Sequence, residues 1–338
     1  MATIDEVAER AGVTRGTVSK VLSGTYNASP RTRAKVEQAA AELGYRPNLA
    51  ARALSKGRTF VVGLLIPYDP DQLFADPHLL DIIRGVEAAA NSRDYNVLLS
   101  TAHRPNDPTS AYSRVLRSKY VDGMVVIEGP DMAAIAAQLK QQPSPWVISG
   151  YAPLGSEAYS VHADDPAITA KLTEHLLALG HRRIGVISSE LRLAAFDKRL
   201  EGFHQALHAH ALSCDPGLIV FGDMSVESGY RATEQLLRRP EPPTAIWALN
   251  DRMALGALQW AREHGVRVPA DLSIAGFDDI SAAALSDPPL TTVRLPSYQE
   301  GQAAIELVFQ LLDGETLPRE VIVPTDVIVR GSTGAAPG

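Results

Sequence analysis

Residues 3–22 read TIDEVAERAGVTRGTVSKVL, two short helical patterns divided by Gly12-Val13 alone. So little chain separates them that only a tight turn can join them, and the stretch must fold back on itself at once. Thr3 and Glu6 have the spacing of a capping box, in which hydroxyl and carboxylate satisfy each other's backbone N–H groups. Ile4, Val7, Ala8 and Ala11 then share one helical face, and Gly12 suits the left-handed residue that closes a helix. Thr14 is a natural N-cap for the second helix, whose Val18, Val21 and Leu22 form its buried side. Its other side carries Arg15, Gly16, Thr17, Ser19 and Lys20, which are donors or small residues. A helix that lies in a DNA major groove needs such a face. The same spacing also fits an ordinary helical hairpin with a polar exterior.

Residues 29–58 narrow the choice. Ser29-Pro30 opens a third helix with a buried stripe of Val36, Ala39, Ala40 and Leu43, stopped by Gly44. Residues 1–58 hold ten Lys/Arg against five acids, a charge of +5, so the net −7 of the whole chain places −12 on the remainder. A basic head on an acidic body suits a small phosphate-binding module attached to a domain with another task. Residues 48–55 are alanine-rich and helical in pattern but too short to hold a helix alone in water. Such a segment would order when paired with its own copy on DNA.

TIDEVAERAGVTRGTVSKVLSG followed by SPRTRAKVEQAAAELGYRPNLAARAL resembles, densely and nearly without gaps, the head of the lactose-repressor (LacI/GalR) family of bacterial transcription regulators. The resemblance implies that Arg15, Gly16 and Lys20 occupy positions that read base edges. It implies phosphate or neighbouring base contacts at Thr3, Thr14, Thr17, Ser19, Asn27, Ser29, Tyr45 and Asn48. Ala51 and Leu54 fall on the family's hinge helix, with Leu54 matching the leucine that wedges into the minor groove at the centre of a palindromic operator. Such a wedge costs a few kcal/mol of unstacking, recovered through the contacts that bending allows. Gly16 departs from a reading role in having no side chain and low helix propensity.

Beyond residue 58 the chain alternates strand and helix. The apolar run 60–66 reads as a strand buried on both faces. After it come a helix at 78–93, a strand at 97–100, a helix at 109–119, a strand at 123–127, a helix at 131–141 and a strand at 146–149. A second series begins near Tyr159, with strands at 184–188, 219–221, 245–249 and 273–276 between helices at 167–179, 199–212, 227–238 and 252–263. This alternation predicts parallel sheets in two doubly wound α/β lobes, with a ligand cleft at the carboxyl ends of the strands. The family resemblance adds the arrangement of a periplasmic sugar-binding protein, with crossings near 161, 292 and 324. The expected domains are therefore an all-α helix–turn–helix head with hinge (1–58) and an effector-binding and dimerisation body (59–330). Lobe 1 would comprise 59–160 and 294–323, and lobe 2 161–292 and 325–330. The tail 331–338, GSTGAAPG, reads as disordered; it lacks the leucine heptads of a tetramer seal, which favours a dimer.

Within the cleft, the family's effector-contacting arginine, asparagine and aspartate align with Arg199, Asn250 and Asp278, planar groups suited to sugars or nucleobases. Simple helix capping is the competing role for Asn250 and Asp278. For Arg199 the competing role is a surface pair with Asp197 or Glu201. Four positions depart from the family: Ser149-Gly150 replaces a frequent Asp-Arg pair, Met224 stands where an aromatic often stacks, and Leu295 replaces a frequent glutamine. The long first-lobe loop PYDPDQLFADPHLL offers Phe74, Asp76 and His78. The candidate effector set is thus Phe74, His78, Ser149, Arg199, Met224, Asn250 and Asp278, for a sugar-like ligand.

Other functions find little support. His204, His208 and His210 lack a completing carboxylate or an HExxH pattern, so no metal is expected. No P-loop, GxGxxG or GxSxG appears, and no cofactor is expected. The lone Cys214 excludes an intrachain disulfide and fits a reducing compartment. No signal peptide or membrane-spanning run is present, which points to the cytoplasm and away from a solute receptor. An enzyme would have to use Asp278 and His78 as an acid/base pair across the cleft. The expected partners are an operator duplex, a small effector and a second copy of the chain.

Overall fold

A computed structural model describes residues 2–22, 28–45, 57–102, 110–118, 120–191 and 193–337. It divides into two compact units, residues 1–60 and 61–338. The hinge segment 48–55, with Asn48, Ala51 and Leu54, lies outside the described residues, as does Asn27.

In the first unit, α1 (Ile4–Ala11), α2 (Arg15–Leu22) and α3 (Pro30–Glu42) enclose one small core. Val7, Val18, Val21 and Val36 are its most buried members. The local signals act as the sequence implies. Thr3 and Glu6 form the capping box, and Gly12 closes α1 with φ of 67°. Ser29 caps α3, accepting from the Thr32 N–H at 3.2 Å. Leu43, expected in the buried stripe, is exposed instead, because the helix ends at Glu42 and Leu43 is its C-cap.

The second unit has two lobes. The strands of the first are β1 (Val61–Ile66), β2 (Asn96–Thr101), β3 (Gly123–Ile127), β4 (Trp146–Ser149), β5 (Tyr159–Ala163) and β11 (Glu320–Val323). They form a parallel sheet in the order β11-β5-β4-β3-β1-β2. Helices α4 (Pro70–Ala75), α5 (Pro77–Ser92), α6 (Ser110–Ser118), α7 (Met132–Leu139) and α13 (Ser297–Leu312) surround it. Strands β1, β3 and β4 sit inside the sheet and are almost wholly buried, which accounts for their continuous apolar runs.

The second lobe carries β6 (Ile184–Ser189), β7 (Ile219–Gly222), β8 (Ala245–Ala248) and β9 (Ser273–Ala275). These make a four-stranded parallel sheet in the order β7-β6-β8-β9. Around them lie α8 (Asp165–Ala178), α9 (Ala194–Ala209), α10 (Val226–Leu237), α11 (Asp251–Glu263) and α12 (Ser281–Leu285). A two-stranded antiparallel ribbon, β10 (Thr292–Arg294) with β12 (Asp326–Ile328), joins this lobe through bridges Ala275–Thr291 and Asp278–Arg294.

Four expectations need correction. Strand β5 pairs with β4 and β11, so the first lobe runs to Ala163 rather than 160. The bridges from Ala275 to Thr291 and from Asp278 to Arg294 tie β10 to the second lobe and move the next crossing past Arg294. The helix expected at 199 begins at Ala194, and residues 70–75, read as loop, form α4 with its own Asp69–Gln72 capping box.

Residues 331–337 of the tail, expected to be disordered, pack on the second lobe instead, and Ser332 is fully buried. Its carbonyl accepts the Ile274 N–H at 2.8 Å, and its hydroxyl accepts the Thr291 N–H at 2.8 Å and donates to the Ile274 carbonyl at 2.6 Å. Further on, the Ala336 N–H donates to the Leu179 carbonyl. Small polar residues suit this role because their backbones can approach closely enough to extend the hydrogen bonding of the lobe.

Candidate functional site

The head presents a polar face on α2. Arg15, Gly16, Ser19 and Lys20 are exposed, and Thr17 is half-buried. The Thr14 hydroxyl accepts the Thr17 N–H at 3.2 Å, so it caps α2 as expected. Thr3, Thr14 and Ser29 each stand at a helix start, where free N–H groups and the helix dipole favour phosphate oxygens. Arg15 lies 3.6 Å from Asp5, with both side chains largely exposed. Such a pair is weak in water and exchanges readily for an anion of higher charge. Tyr45 is half-buried against the three-helix core.

The cleft between the lobes of the second unit encloses a cavity of about 410 Å³. It lies where the parallel strands end. Glu128 follows β3, Ser149 ends β4, Asp165 follows β5, Asp223 and Met224 follow β7, and Asp278 follows β9; all of them line the cavity. Of the seven residues expected to contact an effector, His78, Ser149, Arg199, Met224 and Asp278 line it.

Phe74 and Asn250 do not. On α4 the residue turned inward is Leu73, and Phe74 points outward with 63% of its surface exposed. Asn250 is engaged at both ends of its amide as an N-cap. Its Oδ1 accepts the Met253 N–H at 2.9 Å, and its Nδ2 donates to the Met224 carbonyl at 3.1 Å. It thereby holds the loop that brings Met224 to the cavity wall.

Arg199 does not pair with Asp197 or Glu201. It is buried, its Nε donating to Asp165 at 2.7 Å and its Nη1 to the Leu249 carbonyl at 2.7 Å. Its guanidinium also lies 3.8 Å from the centre of the Phe277 ring. These three contacts fix the plane of the fork so that its remaining edge meets the cavity. Asp278 adopts φ of 113°, a conformation L residues rarely take. Neighbouring Asp279 holds that loop through Arg294 at 2.7 Å and Arg330 at 2.6 Å. Burial pushes the Asp278 carboxyl well above the usual carboxylate range.

Several cavity residues carry no obvious mark in the sequence. The Glu128 carboxylate accepts the Tyr151 N–H at 3.0 Å and the Ala195 N–H of the other lobe at 3.2 Å. Gly150, with φ of 115°, makes room for it, since a Cβ there would stand 2.3 Å from the Glu128 Cβ. Burial raises the Glu128 carboxyl. Tyr151 stacks on His162 with ring centres 3.9 Å apart and donates its hydroxyl to the Ala163 carbonyl at 2.9 Å. Glu300 on α13 accepts the Ser149 hydroxyl at 2.6 Å, and burial pushes it up to about 8. The His78 ring nitrogen Nδ1 lies 2.7 Å from the Ser297 hydroxyl, and burial lowers its pKa, so the ring is neutral. An acid directly after an apolar strand, as in VVIEGP, is the one available signal for Glu128. Glu300 reads as an ordinary first-turn acid of a helix.

The head and the cleft both have relatives. Residues 3–48 match the model for bacterial regulatory proteins of the lacI family, and residues 173–333 match the periplasmic binding protein-like domain. Over 339 aligned residues the chain is 34% identical to the HTH-type transcriptional repressor CytR of Escherichia coli (strain K12), covering 99% of this chain and 97% of CytR. The chain belongs to the LacI family of bacterial regulatory proteins.

Solved structures of LacI-family members agree. The Lac repressor dimer bound to operator and the anti-inducer ONPF superposes with a TM-score of 0.86 at 30% identity, over 99% of each chain. The transcriptional regulator CelR in complex with cellobiose gives 0.75 at 33% identity, over 98% of this chain and all of CelR. This LacI-family chain is a DNA-binding transcription regulator with a ligand-binding body. The relatives are regulators rather than enzymes. Among the described residues no helix is long and apolar enough to cross a membrane.

Proposed function

We propose that this LacI-family protein is a cytoplasmic homodimeric repressor without catalytic activity. A sugar or sugar derivative in the cleft controls its hold on a palindromic operator. The observation that carries the reading is Arg199, locked in plane by Asp165 and the Leu249 carbonyl beside the cavity-facing Asp278. That is a polar pair set to grip vicinal hydroxyls at the carboxyl ends of the strands. CelR with cellobiose supports the ligand class, and the Lac repressor dimer on its operator supports the assembly. Exposed Leu98 and Leu99 on the outer strand β2, with Phe221 on the outer strand β7, offer apolar edges to a second copy.

In this reading Arg15, Gly16 and Lys20 face base edges. Thr3, Thr14, Thr17, Ser19, Asn27, Ser29, Tyr45 and Asn48 hold phosphates or flanking bases, and paired hinges carrying Ala51 and Leu54 open the minor groove at the centre. Effector closing the cleft turns the first lobes against each other and changes the hinge pairing. By linkage, effector weakens operator binding by the same factor that operator weakens effector binding.

Gel-shift titration tests the reading. Leu54→Ala should weaken specific operator binding far more than non-specific binding, whereas equal loss removes the wedge. Lys20→Ala should relax base preference at one operator position; a uniform loss across sequences makes Lys20 a phosphate contact instead. A monomer indifferent to any palindromic duplex at moderate salt overturns the whole proposal.

A further inference from the structure

The floor of the cleft carries more carboxyl groups than a neutral sugar requires. Glu300 is only 6% exposed. One of its carboxyl oxygens takes the Ser149 hydroxyl, the other has no hydrogen-bond partner among the described residues, and the residue lines the cavity. The Asp278 carboxyl, on the opposite lobe, also lines the cavity without a side-chain partner among the described residues. Asp76, Glu128 and Asp165 line the same space, and the exposed Asp71 and Asp223 border it. Against these seven acids the described lining offers two cations, Arg199 and Arg252, and Arg199 is already paired with Asp165.

We propose that the effector is a sugar derivative carrying a cationic nitrogen, an ammonium or amidinium group, that docks on the free oxygen of Glu300. This rests on the reading of the cleft as an effector site. Charged groups facing Glu300 are Glu128 beyond β3 and Asp165 and Arg199 from the second lobe, with the neutral Ser149 hydroxyl from β4. Three carboxyls in this set against one guanidinium leave an electrostatic deficit that a cationic ligand fills. A neutral polyol would leave Glu300 protonated and its second oxygen without a charged partner, so it gains nothing from this excess of carboxyls.

Without ligand the deficit is relieved by protonation, since burial raises Glu300 to about 8. Binding of a cation then proceeds with a balanced proton. The neutral carboxyl of Glu300 meets the positively charged nitrogen, the O–H proton leaves to buffer, and a carboxylate–cation pair remains. Ser149 keeps its hydrogen bond throughout, because a carboxyl oxygen accepts in both states.

Calorimetry and thermal melting of the full-length protein test this with glucosamine against glucose and galactosamine against galactose, and with cellobiose as a larger neutral probe. Expected are an amino sugar bound at least about tenfold tighter than its neutral parent, as a charge-assisted contact provides. Runs in two buffers of different ionisation enthalpy should show close to one proton released per site at about pH 7. Affinity should rise from about pH 6 to about pH 8 as Glu300 ionises more readily. Glu300→Gln should abolish the preference, and Ser149→Ala, which keeps the carboxyl, should retain it. If a neutral probe binds as tightly as its amino partner, or Glu300→Gln binds the amino sugar unchanged, this inference fails while the effector site stands. If no probe binds, the effector reading of the cleft fails and the inference with it.

Discussion

The carboxylate of Glu128, on the first lobe, accepts the backbone N–H of Ala195, on the second, at 3.2 Å. Ala195 lies in the first turn of α9, whose own N-cap residue, Leu193, makes no side-chain capping bond. A sixteen-residue helix therefore receives its cap from across the cleft. The same helix carries Phe196 and Arg199 into the cavity. Opening the lobes strips α9 of its cap and leaves a buried carboxylate short of a donor.

Removing that bond should favour the open cleft. A side-chain cap contributes about 1 kcal/mol, so Glu128→Ala should weaken effector binding about fivefold. It should also enlarge the ligand-free protein in small-angle scattering. Glu128→Gln should fall between, since an amide has one oxygen where the carboxylate uses two, one for Ala195 and one for Tyr151. If Glu128→Ala leaves both affinity and dimensions unchanged, Glu128 does not hold the lobes together.

This cross-lobe cap also explains what the sequence could and could not reveal. Thr3, Glu6, Gly12 and Ser29 are legible because each acts on a backbone group within three or four residues. The start of α9 is not, because its cap lies 67 positions away. Asp69 and Gln72 do carry a local capping signal, but six residues are too few for the helical period to show. The parallel sheets are legible from continuous apolar strands, which can be buried only between two layers of helix. In the cleft, Arg199 and Asp278 can be placed by the family pattern. Glu300 cannot, because a first-turn acid looks the same whether its helix faces water or a cavity. Asn250 misleads because capping and ligand contact draw on one residue type, and here both its amide oxygen and its amide nitrogen are spent on the backbone.

Arg199 and Asp165 form a buried ion pair, with side-chain exposures of 7% and 4%. Replacing Arg199 by Met leaves Asp165 charged and unpaired, and the Leu249 carbonyl without its donor. Such a loss costs roughly 3–5 kcal/mol. Arg199→Met should therefore lower the melting temperature strongly, and Arg199→Met with Asp165→Leu should recover much of it, because an apolar pair needs no counter-charge. Effector binding should remain lost in both variants. If the double variant melts no higher than the single one, the cost lies in packing rather than in the stranded charge.

The raised carboxyls set a pH dependence of definite sign. Glu300, ordinarily near 4.5, sits at about 8 in the folded chain, and Asp251, ordinarily near 3.8, at about 7, both chiefly through burial. Between those limits the folded state holds protons that the unfolded chain has released. Their stabilising contribution is complete below about pH 4 and is lost as pH rises through about 7 and 8. Ligand-free protein should thus lose stability from about pH 5 to about pH 8.5 in urea titrations, by on the order of a few kcal/mol. Glu300→Gln should flatten the upper part of that decline, because an amide has no proton to lose and can still accept from Ser149. A parallel decline in the variant would show that other groups set it.

The ordered tail offers a test that leaves both sites untouched. Ser332 closes the edge of the second lobe by accepting the Thr291 N–H through its hydroxyl and the Ile274 N–H through its carbonyl. The Gly334 carbonyl lies 3.1 Å from His181 Nε2, and the Gly334 N–H donates to the Ser273 hydroxyl at 3.0 Å. Cutting the chain before Ser332 exposes Ile274 and Thr291 donors that no other described group satisfies, at roughly 1–3 kcal/mol for each one left buried. Truncation at Gly331 should lower the urea midpoint clearly, while Ser332→Ala, which keeps the backbone bond to Ile274, should cost less. Hydrogen exchange should locate the change at the amides of Ile274 and Thr291. A truncated protein with unchanged midpoint and unchanged protection at those amides would mean that the tail adds nothing to the lobe.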